Sequence, residues 1–208
     1  MSTFREQLAS AQRALVKADP RFAPIVRKAG RCELERAESF RPFDALLTSI
    51  THQQLTGKAA ETILGRVKDR LAGGRFPTPE QVLRARMPTL RRCGLSEAKS
   101  LAVKDLAKKT LDGTVPTARA LHGLSDAEII ERITEVRGIG QWTVEMMLIF
   151  RLGRLDVMPV DDYGVRKGFS RLAKLDELIK PKVLLAESEP WRPYRSVAAW
   201  YCWRVLDV

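Results

Sequence analysis

Gly138-Ile139-Gly140 is the segment whose composition points most directly to a chemical task. It separates a helical stretch ending near Val136 from an amphipathic one opening at Gln141 or Trp142. Glycines at both positions allow positive φ and let the backbone approach a foreign surface with no Cβ in the way. The N–H groups around Gly140 then stand at a helix N-terminus, where unpaired donors and the helix dipole favour an anion. Ile139 is expected to plug the turn into the core. Such a hairpin can grip one phosphate through its backbone, with Arg137 beside it. A plain helix–helix turn closed by glycine is the alternative. Asp162 stands twenty residues beyond Trp142, directly after Asp161. From local physics alone, two aspartates opening a helix are caps.

The charge balance favours a polyanionic partner. The 208 residues carry 36 Lys and Arg against 25 Asp and Glu, a net charge of +11. An excess of that size marks nucleic acid, or less commonly an anionic membrane surface. Cys32, Cys93 and Cys202 form no Cys-x-x-Cys pair, and His52 and His122 lie too far along the chain to complete a set. That spacing assembles neither a zinc site nor an iron–sulfur cluster, so no metal held by side chains and no cofactor are expected. The three thiols are expected to be buried small hydrophobes. Apolar runs fall short of the roughly 20 residues that a bilayer span needs. The N-terminal MSTFREQLASAQR is polar and charged where a signal peptide carries its apolar stretch. The expectation is a cytoplasmic protein with no membrane partner.

The elements that must position these residues read as helices nearly throughout. Thr3 and Glu6 form a capping-box pair ahead of Phe4, Leu8, Ala11 and Leu15, and Asp19-Pro20 ends that helix. A short helix over Phe22, Ile25 and Val26 stops at Gly30. Pro42 suits a first helical position, with Phe43, Leu46, Leu47 and Ile50 lining one face. Ala60, Ile63, Leu64 and Val67 continue to the Gly73-Gly74 break; Thr78-Pro79-Glu80, Ser96 and the Ser125/Glu128 capping box open three more helices. No alternating run predicts a strand. The fold class is all-α.

Four segments in order carry a resemblance: RPFDALLTSITHQQLTGKAAETI, GLSEAKSLAVKDLA, VRGIGQWTVEMM with LGRLDVMPVDDYGVRKGF, and EPWRPYRSVAAWYCW. Together they resemble the helix-hairpin-helix glycosylase superfamily of base-excision DNA repair, and within it the DNA-3-methyladenine glycosylase II type. The likeness runs from about Asp19 to Trp203. It implies two helical lobes around a DNA-binding cleft. One lobe is expected over residues 40–153, with the wedge loop and hairpin; the other joins 1–39 to 154–208. Two departures stand out. The larger relatives carry an N-terminal β domain ahead of this core, and Met146 stands where some relatives have an aromatic. Both imply a more open base pocket.

The resemblance also implies roles. Releasing a base by hydrolysis requires stabilising a sugar cation, and the likeness puts the catalytic carboxylate at Asp162. Asp161 is then expected to be a cap or a supporting group. Trp142 occupies the place where strand-cutting relatives have a nucleophilic lysine, so no AP-lyase step is expected. Trp203 and Trp142, with Met146, are implied as the base pocket, since an electron-poor alkylated purine is drawn to an aromatic face. Trp191, Tyr194 and Trp200 lie nearby in sequence, where an aromatic cluster more often forms core than pocket. The loop Gln53-Gln54-Leu55 is implied as the wedge that fills the gap left by the flipped base, with Gln54 the foremost candidate. Arg137, Gly138 and Gly140 are implied to bind DNA phosphate. The implied protein is a monomeric, monofunctional glycosylase acting on double-stranded DNA that contains alkylated bases, chiefly purines such as 3-methyladenine. Two readings stand beside it: a non-catalytic helix-hairpin-helix DNA-binding protein, which would need neither Asp162 nor the aromatic last helix, and a glycosylase for oxidised or deaminated bases.

Overall fold

A computed structural model describes residues 3–37 and 39–207, and it builds helices where caps and apolar periodicity call for them. They are α1 (Phe4–Ala18), α2 (Ala23–Ala29), α3 (Pro42–His52), α4 (Gly57–Ala72), α5 (Pro79–Arg84), α6 (Met87–Arg92), α7 (Glu97–Leu111), α8 (Ala118–Leu121), α9 (Asp126–Thr134), α10 (Gln141–Phe150), α11 (Tyr163–Leu172), α12 (Pro181–Glu187) and α13 (Arg195–Asp207). Among the described residues there is no strand, and no helix is long and apolar enough to cross a membrane. The Thr3/Glu6 and Ser125/Glu128 capping boxes both form, each side chain taking the other residue's backbone N–H. A third box joins Thr78 to Gln81. The short helices α6, α8 and α12 carry too few turns to announce themselves by periodicity.

The chain divides into two compact units, Glu38–Val144 and the pair Met1–Ala37 with Glu145–Val208. The expected lobe boundaries were 39/40 and 153/154. The second crossing instead falls inside α10. The helix's later half belongs with the terminal segments: the Arg151 carbonyl accepts Ala37 N–H at 3.2 Å, and Phe150 stacks on Trp203.

In the unit Glu38–Val144, α7 packs against α3, α5 and α6. Leu46, Leu47 and Ile50 from α3, Leu64 and Val67 from α4, and Val103 and Leu106 from α7 are buried. In the other unit, α13 lies against α11, α1 and α2. Trp191 is buried, with Phe22 edge-on at 5.2 Å and Phe169 at 5.3 Å. Its indole N–H donates to Asp19 Oδ2 at 3.1 Å, and Arg21 grips the same carboxylate at 2.8 Å. Burial opposes the charge on Asp19, but the Arg21 and Trp191 hydrogen bonds outweigh it and hold the carboxyl below its ordinary range. Trp191 and Trp200 are therefore core, as their cluster on the terminal segment suggested. The thiols of Cys32, Cys93 and Cys202 are buried, and desolvation pushes Cys32 up to about 12.

Candidate functional site

Asp162 and Trp203 are brought together by a close helix crossing. Along α11, Gly164 and Gly168 are four residues apart and so share one face. A Cβ on Gly168 would lie 1.9 Å from the Cys202 carbonyl oxygen, and one on Gly164 would lie 2.9 Å from Trp203 Cδ1. Glycine at 168 lets the backbone of α13 come this near, and glycine at 164 leaves room for the Trp203 ring. The approach carries Trp203 Nε1 to 2.9 Å from Asp162 Oδ1, to which it donates. The same oxygen accepts Val165 N–H at 2.7 Å, so Asp162 caps α11. The carboxylate is thus oriented by two donors, one from its own helix start and one from the last helix. The cap is Asp162 itself; Asp161, expected there, is exposed one residue too early to reach Val165.

Trp203 also has an aromatic partner that went unforeseen. Phe150 stacks on its ring at 5.5 Å between centroids, and Phe150 is itself exposed. Its position was legible in principle, because Trp142, Met146 and Phe150 recur every four residues along α10. Trp142 is about half exposed, and Met146 is half-buried. Tyr163, directly after Asp162, is the most exposed large hydrophobic side chain among the described residues, with the Lys167 ammonium 5.6 Å from its ring centroid.

The wedge and hairpin residues both lie in the unit Glu38–Val144. Gln54 and Leu55 are exposed at the turn after α3, and Gln54 has a φ of 56°, which turns the chain sharply there. Gln53 points elsewhere: its Nε2 donates to the Gly138 carbonyl at 2.8 Å, so it joins the wedge loop to the hairpin. In the hairpin, Gly138 has a φ of 78° and Ile139 is buried as expected. Gly140 departs from expectation, lying outside the left-handed region with open space around its missing Cβ. Its carbonyl already accepts Thr143 N–H at 3.0 Å, because it starts α10 rather than reversing the chain. Arg137 is exposed, and its backbone N–H donates to Asp105 Oδ2 at 2.8 Å. Lys99, which no motif singled out, donates its ammonium to the Thr51 and Gln53 carbonyls, each at 2.7 Å. No local pattern could reveal it, since both partners are more than forty residues away in sequence. Among the described residues, no group of three or more His, Cys, Asp or Glu is placed to hold a metal ion.

Residues 47–193 match the model of the HhH-GPD superfamily base excision DNA repair protein. The chain is 38% identical over 198 residues to DNA-3-methyladenine glycosylase 1 of Schizosaccharomyces pombe, covering 95% of this chain and 87% of that protein. It is 32% identical to the DNA-3-methyladenine glycosylase of Saccharomyces cerevisiae, over 93% of this chain and 69% of that one. Among solved structures, the S. pombe 3-methyladenine DNA glycosylase in complex with abasic DNA superposes with a TM-score of 0.85 at 38% identity, covering 96% and 97% of the two chains. The DNA-3-methyladenine glycosidase of Bacillus halodurans does so with a TM-score of 0.83 at 35% identity, over 93% and 87%.

Proposed function

Because the chain belongs to the HhH-GPD superfamily of base excision DNA repair proteins, we propose that it is a monofunctional DNA glycosylase. It extrudes alkylated bases, chiefly purines such as 3-methyladenine, from duplex DNA and hydrolyses the N-glycosidic bond. The observation that carries this reading is Asp162 with Oδ1 accepting from both Val165 N–H and Trp203 Nε1–H. A carboxylate fixed in this way is aimed before the reaction begins. As the base departs with the bonding electrons, positive charge builds on the sugar, and a preorganised carboxylate stabilises it without having to reorient. Water then adds to the anomeric carbon and gives up a proton, leaving an abasic site.

The remaining residues serve binding and extrusion. Trp203 and its stacked partner Phe150 offer an aromatic face to an electron-poor base. The resemblance assigns Trp142 and Met146 to the same task. With tryptophan at 142, that position has no amine to form a Schiff base, so no strand cleavage accompanies base release. Gln54 and Leu55 take the space the base vacates, and Gln54 can hydrogen-bond the orphaned partner. The hairpin at Gly138 and Gly140, with Arg137, holds a phosphate. The enzyme acts as a monomer.

Asp162→Asn tests the reading directly. The amide keeps one oxygen to accept both hydrogen bonds but removes the charge. Base release from a duplex carrying 7-methylguanine should fall by about 10²–10³-fold, while duplex affinity is retained. Asp161→Asn should excise at close to the wild-type rate. Normal excision by Asp162→Asn would make this residue a cap only, and would favour a non-catalytic DNA-binding protein.

A further inference from the structure

The wedge loop and the hairpin are held on one helix. Along α7, Lys99, Ala102 and Asp105 recur every three residues, a stripe of about 9 Å at the helical rise. Lys99 Nζ donates to the Thr51 and Gln53 carbonyls, at the end of α3 where helix carbonyls lack partners of their own. Ala102 Cβ lies 3.5 Å from where a Cβ on Gly138 would be, so the hairpin rests against this stripe. Asp105 accepts Arg137 N–H at the start of the hairpin, and one turn on, Lys109 donates to the Glu135 carbonyl. Gln53 closes the loop from the other side by reaching Gly138 O at 2.8 Å.

We propose that Lys99 and Gln53 are positioning residues that lock the wedge loop to the phosphate-gripping hairpin, so that docking on the backbone drives the wedge into the duplex. The inference rests on the wedge reading of Gln54 and Leu55. A hairpin seated on a phosphate fixes one point of the protein on the DNA. A wedge at the end of a slack loop could then yield instead of displacing a paired base, which costs a few kcal/mol to extrude. Two charge-assisted bonds to the root of the loop, and a third bond to the hairpin itself, remove that slack. Lys99 is the suitable donor because a single ammonium has three hydrogens and can reach two carbonyls at once. Burial lowers its pKa from the ordinary lysine value, in keeping with an ammonium turned inward to the loop.

The test uses the full chain with Lys99→Met and Gln53→Met, which remove the donors while keeping an unbranched side chain one atom shorter than lysine and equal in length to glutamine. Single-turnover excision is measured on a duplex with 7-methylguanine opposite cytosine, and on one with the same lesion opposite an abasic position, where there is no pair to break. Each variant should lose about 10- to 100-fold on the paired lesion, as expected for a small misplacement of a working group, and stay within about threefold of wild type on the unpaired one. Affinity for undamaged duplex should keep its salt dependence. A log–log slope reduced by about 0.9 in Lys99→Met would make Lys99 a phosphate contact and overturn the proposal. Equal losses on both duplexes would overturn it too, as a general structural effect. Gln53→Met carries the test if Lys99→Met does not fold. Gln54→Ala separates the two layers. A wild-type rate on the paired lesion removes the wedge reading and the inference with it. Partner-dependent loss in Gln54→Ala alone removes only the inference.

Discussion

Gly168→Ala should disable the enzyme from within the core of one unit. The added Cβ would stand 1.9 Å from the Cys202 carbonyl oxygen, 2.5 Å from its carbon and 3.0 Å from Cα. An ordinary C···O contact is about 3.3 Å, so α13 must retreat by about 1.4 Å. No side-chain rotation can relieve the clash, because all three atoms are backbone. Overpacking of this kind costs about 3 kcal/mol, against about 1 kcal/mol gained by replacing glycine with alanine in a helix. The net loss of about 2 kcal/mol should lower Tm by about 4–8 °C for a chain of this size. The effect on chemistry should be larger in proportion. Trp203 Nε1 is 2.9 Å from Asp162 Oδ1, and the same retreat takes it beyond hydrogen-bonding distance. On the catalytic role proposed for Asp162, an error of about 1 Å in its placement costs about 10²-fold. Calorimetry gives the first number, and single-turnover excision of 7-methylguanine well below the transition gives the second. A Gly168→Ala protein with wild-type Tm and wild-type rate would falsify the claim that the glycine seam sets the carboxylate.

Two further outcomes follow from the same geometry. Gly138→Ala forces a side chain into a φ of 78°, costing about 1–2 kcal/mol, whereas Gly140→Ala meets open space and no left-handed backbone. Melting curves should separate them, and equal destabilisation would refute the assignment of different roles to the two glycines. Asp19 should give its unit a sensitivity to acid. Its folded pKa is depressed, so the stability it contributes is present above the unfolded value near 3.8 and is lost as pH falls through the lower folded value. Between pH 7 and pH 3 the wild-type Tm should therefore drop further than that of Asp19→Asn, and parallel curves would show that Asp19 contributes nothing through its charge.

Much of this protein was legible in its residues because the signals are local. A Thr or Ser three residues before Glu makes a capping box whatever the surroundings, and Thr3/Glu6 and Ser125/Glu128 both did so. The buried Ile139 between two glycines, and the start of α10 at Gln141, likewise follow from spacing over a few positions. Asp162 could be chosen over Asp161 only by resemblance, since either could open a helix. The tertiary structure decided what depends on long-range approach. Trp203 reaches Asp162 across forty-one residues because Gly168 on α11 admits the backbone of α13 and Gly164 leaves room for the indole. Gln53 turned out to tie the loop to Gly138, eighty-five residues on, and Lys99 to hold the root of that loop. Such partners carry no periodicity and no motif. They exist only once packed helices have brought distant carbonyls and side-chain donors within about 3 Å of each other.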